Sequence, residues 1–119
     1  MINVTLVVFF KDLPMNQKTP SVAIVTGASR GIGAAIAERL AADGFAVIIN
    51  YSGNPAPAYE LVGKIEQRGG RALSIKADVS DAAAVAQLFD SAEQAFGGVD
   101  VLVNNAGVIA LAPVADMHD

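Results

Sequence analysis

The chain has 119 residues, room for one domain able to bury roughly two thirds of the surface its unfolded form exposes. Hydrophobic residues at 53% and charged ones at 17% suit a buried parallel sheet and exclude a disordered chain. The formal net charge of -4, with Lys and Arg scattered from Lys11 to Lys76, argues against a nucleic-acid partner; the lack of cysteine excludes disulfides and thiolate sites and fits a cytoplasmic location.

Met1 to Phe10, M-I-N-V-T-L-V-V-F-F, is apolar but too short to cross a membrane, and it has neither the basic start nor the cleavage site of a secretory signal. No membrane partner is expected. Lys11 to Pro20 reads as a polar linker punctuated by Pro14 and Pro20. Residues 1–20 are therefore expected to be an extension and linker ahead of a domain over 21–119, with Met15 as an alternative start. An additional edge strand within Met1 to Pro14 is the competing reading.

From Ser21 onward strands and helices alternate. Val22 to Thr26 is the first predicted strand, and Ile32 to about Asp43 the first helix, with Ile36 and Leu40 on one face and Gly44 behind it. Ala46 to Asn50 is the second strand. Ala58 to about Arg68 is a helix with Leu61 and Ile65 four apart, stopped by Gly69 and Gly70. Arg71 to Ala77 is the third strand. Ser80 is expected to cap a helix with Asp81 in its first turn, which runs to Phe96 with Val85, Leu88, Phe89 and Phe96 turned inward and is stopped by Gly97 and Gly98. Val99 to Val103 is the fourth strand, ending at Asn104.

Apolar strands separated by helices imply parallel pairing with helices on both faces. Right-handed crossovers give an α/β, doubly wound sheet of strand order 3-2-1-4, with the second half of that architecture missing from these residues. The outer edge of the fourth strand is then expected to lie open, which favours aggregation.

Between the first strand and the first helix stand Gly27, Ala28, Ser29, Arg30, Gly31, Ile32 and Gly33, in the pattern Gly-x-x-x-Gly-x-Gly. Glycine allows positive φ and close approach of a ligand, while the helix start offers unpaired N–H groups and the positive end of its dipole. Such a turn suits a diphosphate. A tight turn without a ligand is the plainer reading of the glycines taken alone.

Thr26 to Gly33, with Ala77-Asp78-Val79 and Asn104-Asn105-Ala106-Gly107 in the same order, resembles the short-chain dehydrogenase/reductase family from about Ser21 to the end of the chain. Within that family the 3-oxoacyl-thioester reductase-like members are the nearest match. The resemblance implies a Rossmann-type fold, a nicotinamide dinucleotide, a small-molecule carbonyl or alcohol substrate, and a homo-oligomeric complete enzyme. It implies that Asp78 and the Val79 amide hold adenine, and that Asn104, Asn105, Ala106 and Gly107 stabilise the central sheet and touch the adenine-side ribose and the nicotinamide half, with Asn105 the first choice for direct contact.

Arg30 in the glycine loop could meet a 2'-phosphate, and the resemblance implies the same. No acid stands at Asn50-Tyr51-Ser52, where folds that prefer NAD place one, and Ser52 is a candidate phosphate donor. NADP(H) is therefore expected over NAD(H), and an acid placed at Tyr51 is expected to reverse the choice. The family's acid/base chemistry uses Tyr, Lys, Ser and Asn, the first two as Tyr-x-x-x-Lys. Only Tyr51 and Tyr59 occur here, and Gly63 stands four residues after Tyr59, so these residues contain no catalytic set and no turnover is expected from them. His118, the lone histidine, reads as solvated, and no metal site is expected. An inactive, self-contained dinucleotide-binding module is the second functional reading.

Overall fold

In the computed structural model the described residues are 5–8, for the backbone alone, and 21–105. The chain forms β1 (Thr5–Val8), β2 (Val22–Thr26), α1 (Gly31–Ala42), β3 (Ala46–Tyr51), α2 (Ala56–Gln67), β4 (Arg71–Lys76), α3 (Ala82–Phe96) and β5 (Val101–Asn104). β2 and β3 are buried along their whole length, which is why V-A-I-V-T and A-V-I-I-N-Y carry almost no polar residue.

β2 pairs in parallel with β3 on one side, Ile24 opposite Ile48, and with β5 on the other, Ile24 opposite Leu102. β4 continues the sheet beyond β3, with Ile48 opposite Leu73. The four strands counted from Val22 thus take the expected order 3-2-1-4. β4 is an edge strand, so R-A-L-S-I-K can leave Arg71, Leu73 and Lys76 exposed.

The two-residue period of the strands sorts the core into two layers. Val25, Val47, Ile49, Tyr51 and Val103 pack on Ala37, Ala41, Ala58, Leu61 and Ile65 of α1 and α2. Ile24, Ile48 and Leu102 pack with Val85, Leu88 and Ala92 of α3. Fully burying a side chain such as Ile24, Ile48 or Leu88 contributes about 1.5 to 3 kcal/mol, and these layers hold the carboxyl ends of β2, β3 and β5 level with one another.

Three expectations are corrected. The outer edge of β5 is not open: β1 pairs with it antiparallel, Leu6 opposite Val103, so part of the extension is the additional edge strand. α2 begins at Ala56, two residues early, because Pro57 is tolerated in a first turn and Asn54 Oδ1 accepts the Ala56 N–H at 3.0 Å. Asp81, not Ser80, caps α3, its carboxylate accepting the Ala83 N–H at 3.0 Å, because the Ser80 hydroxyl is committed to Asp78. Gly97 follows α3 with φ of 92°, a left-handed cap that glycine accommodates without strain.

Candidate functional site

The crossovers from β2 leave in opposite directions, to β3 on one side and eventually to β5 on the other. The crevice above that divergence is where doubly wound sheets receive ligands, and the glycine turn occupies it. Gly27 and Gly31 have φ of 60° and 67°, values that a side chain would strain. A Cβ on Gly33 would lie 2.6 Å from both the Gly27 carbonyl oxygen and Asn105 Nδ2, so glycine alone lets α1 approach the end of β2 this closely. A Cβ on Gly31 would enter open space, the room a ligand needs.

α1 starts at Gly31 behind Arg30, whose backbone is extended and whose side chain does not cap the helix. The first turn carries no acidic residue, so the helix N-terminus stays electropositive, and Arg30 itself is exposed. Gly27, Ala28, Ser29, Arg30, Gly31, Ile32 and Gly33 therefore form one anion-suited turn. These residues fit the diphosphate of a dinucleotide.

A network behind the turn fixes it. Thr26 Oγ1 donates to Asn104 Oδ1 at 2.9 Å and accepts the Asn105 N–H at 2.9 Å, while Asn105 Nδ2 donates to the Gly27 carbonyl at 3.0 Å. Thr26 and Asn104 are buried, and Asn105 is half-buried beside the turn. The two asparagines thus hold the glycine turn onto β5. Ala106 and Gly107 lie outside the described residues.

On the β3 side, Gly27, Asn50, Ser52, Ala77, Asp78, Val79 and Ser80 line a cavity of about 190 Å³. It brings together Ser52, Asp78 and Val79 with the first glycine. Ser52 and Asp78 are exposed, whereas Val79 is buried. Asp78 Oδ1 accepts from the Ser80 hydroxyl at 2.6 Å and from the Ser80 N–H at 2.9 Å. The hydroxyl bond, then the backbone bond, holds the Asp78 carboxyl below its ordinary value, so it is an anionic acceptor at neutral pH. The turn geometry and a role toward an adenine amine are compatible. A second cavity of about 200 Å³ lies between α1 and α2, where Glu38 pairs with Lys64 and Arg68 at 3.6 and 3.2 Å, and no residue of the glycine turn lines it.

Tyr51 does not line the cavity that Asn50 and Ser52 border on the β3 side. It is 8% exposed, packs in the layer beneath α1 and α2, and meets the Tyr59 ring edge-on with centroids 6.4 Å apart. Hydrogen bonding with Tyr59, then burial, raises its phenol above the ordinary value. An acid at Tyr51 would be buried among apolar side chains, whereas Ser52 is exposed and lines the cavity on the β3 side.

Sequence reasoning missed Asn50 and Thr26 as structural parts of the site, whereas Asn104 stands in a motif that the resemblance already implies steadies the sheet. The available signal was a polar residue at or next to the end of an otherwise apolar buried strand, since such a residue must find partners. Among the described residues no cluster of acidic or histidine side chains could hold a metal, and no helix is long and apolar enough to cross a membrane.

The sequence profile of the short chain dehydrogenase family matches residues 21–119. An uncharacterized oxidoreductase of Methylorubrum extorquens is 48% identical over 105 residues, covering 88% of this chain and 42% of the relative. A short-chain dehydrogenase/reductase from Serratia marcescens superposes with a TM-score of 0.72 at 45% identity, covering 82% of this chain and 40% of that one. A short chain dehydrogenase from Burkholderia cenocepacia, in complex with NADP, gives a TM-score of 0.70 at 50% identity, covering 81% of this chain and 39% of that one. The chain thus spans about two fifths of the length of these relatives. The glycine turn at the sheet's divergence and the agreement across residues 21–119 lead to one conclusion: this chain belongs to the short-chain dehydrogenase/reductase family.

Proposed function

We propose that the chain supplies the cofactor-binding portion of an NADP(H)-dependent oxidoreductase that moves a hydride between the nicotinamide and a small-molecule carbonyl or secondary alcohol. The observation that carries the cofactor choice is the exposed Arg30 guanidinium at the uncapped start of α1, in a site whose β3 end carries no acid. The similarity to a relative holding NADP supports the same reading. When bound, the cofactor supplies the hydride chemistry. The residues here bind and orient it: the glycine turn takes the diphosphate, Arg30 and Ser52 the 2'-phosphate, and Asp78 with the Val79 amide the adenine. Asn105, Ala106 and Gly107 border the ribose and nicotinamide.

The complete enzyme is of the 3-oxoacyl-thioester reductase-like kind, homo-oligomeric and cytoplasmic. The 119 residues do not turn over substrate by themselves, because Tyr51 is buried and Tyr59 has no lysine at the helical spacing the chemistry needs. Titrating NADPH and NADH into the chain at fixed ionic strength, then assaying cofactor consumption with a carbonyl substrate, tests this. Tighter NADPH binding and no consumption are expected; equal affinities or measurable consumption contradict it.

One observation favours the second reading, a self-contained dinucleotide-binding module: β1 covers the edge of β5 with the chain's own residues. A cooperatively unfolding monomer that binds NADPH is the outcome expected of such a module.

A further inference from the structure

We infer that Asn50, which belongs to none of the recognised motifs, is a positioning residue that sets the spacing between the diphosphate turn and the adenine platform; the inference rests on the dinucleotide reading above. Asn50 is the penultimate residue of β3 and is 2% exposed, so its carboxamide must find partners within the protein. It finds them on both sides of the cavity. Its Nδ2 donates to the Ile75 and Ala77 carbonyls at 3.3 and 3.2 Å, at the end of β4 just before Asp78. Its Oδ1 accepts the Gly27 N–H at 3.4 Å, at the first glycine of the turn.

The backbone repeats the same bridge. The Asn50 carbonyl accepts the Ala28 N–H at 3.0 Å, and the Tyr51 carbonyl accepts the Ala77 N–H at 2.9 Å. The two cradles belong to different crossovers, and β3 is the strand between them. A dinucleotide spans both, so a wrong spacing penalises the whole ligand while leaving either half able to bind.

The chemistry selects an amide. Two carbonyl acceptors need two donors, and the glycine N–H needs an acceptor; asparagine carries both on one planar group. Aspartate would set a carboxylate against the Ile75 and Ala77 carbonyls until it took up a proton. Serine is too short to reach both sides.

The test uses the full chain with two probes, NADPH and adenosine 2'-monophosphate, each titrated into wild type, Asn50→Ser and Asn50→Asp below their melting temperatures. Asn50→Ser is expected to weaken NADPH on the order of tenfold while barely changing adenosine 2'-monophosphate. Asn50→Asp is expected to lose NADPH affinity at neutral pH and regain it relative to wild type as the pH falls, because protonation restores one donor toward the β4 carbonyls. This pH signature decides the matter if Asn50→Ser fails to fold. Equal losses for both probes, no loss for either, or an Asn50→Asp profile parallel to wild type overturns the inference. Failure of wild type to bind NADPH overturns the dinucleotide reading and this inference together, whereas binding that ignores Asn50 overturns the inference alone.

Discussion

The hydroxyl of Thr26, at the carboxyl end of β2, accepts the backbone N–H of Asn105 at 2.9 Å across 79 residues of sequence. Through this bond and the one to Asn104 Oδ1, the last residue before the glycine turn is joined to the end of β5. A hydroxyl is required because it must donate and accept at once.

Thr26→Val keeps the shape and removes both bonds, leaving buried polar groups of Asn104 and Asn105 without this partner. The expected cost is about 1 to 3 kcal/mol of stability. Thr26→Ser keeps the hydroxyl and should cost less. Urea unfolding midpoints of the two variants check this, and equal losses in both would mean that the methyl group matters and the hydroxyl does not.

Removing residues 1–14 takes away β1 and exposes the β5 edge. A bare edge next to a hydrophobic strand is a template for pairing with another chain. The truncated chain, starting at Met15, is expected to melt lower and to self-associate by light scattering. An unchanged melting temperature with a monodisperse monomer would contradict the pairing of Thr5–Val8 with Val101–Asn104.

Cofactor choice should respond at Ser52 rather than Tyr51. Ser52→Asp places a carboxylate at the exposed mouth of the cavity, repelling a 2'-phosphate and accepting from free ribose hydroxyls, so the NADH-to-NADPH affinity ratio should rise on the order of tenfold. Tyr51→Asp instead buries a charge beneath α1 and α2 and should mainly lower the melting temperature. Isothermal titration with both cofactors and thermal unfolding of both variants separate the effects; a ratio shift from Tyr51→Asp in a stable protein would reverse the assignment.

The parts of this fold that could be read from the sequence are those whose cause is local or periodic. Gly27, Gly31 and Gly33 ahead of an alanine-rich helix announce the turn, because only glycine suits those dihedrals and that closeness. The alternation of buried strands with amphipathic helices implies the 3-2-1-4 order through the handedness of crossovers. β1 was ambiguous because a short apolar run does not name its partner; pairing with β5 is decided across the sheet. In the sequence Asn50 shows only as the lack of an acid, since its partners Ile75 and Ala77 lie 25 and 27 residues away, at the end of β4 and just past it. Both Ser80 and Asp81 suit the cap of α3 by residue type, and only the tie between Ser80 and Asp78 decides for Asp81.

The most direct measurement is the affinity of wild type and Arg30→Ala for NADPH and NADH at one ionic strength, because salt screens the interaction under test. A charge-assisted hydrogen bond contributes roughly 1.5 to 3 kcal/mol, so Arg30→Ala should weaken NADPH by on the order of ten- to a hundredfold. NADH, which has no 2'-phosphate, should change far less. Equal losses for the two cofactors would show that Arg30 only holds the glycine loop in shape, and the NADP(H) assignment would fall.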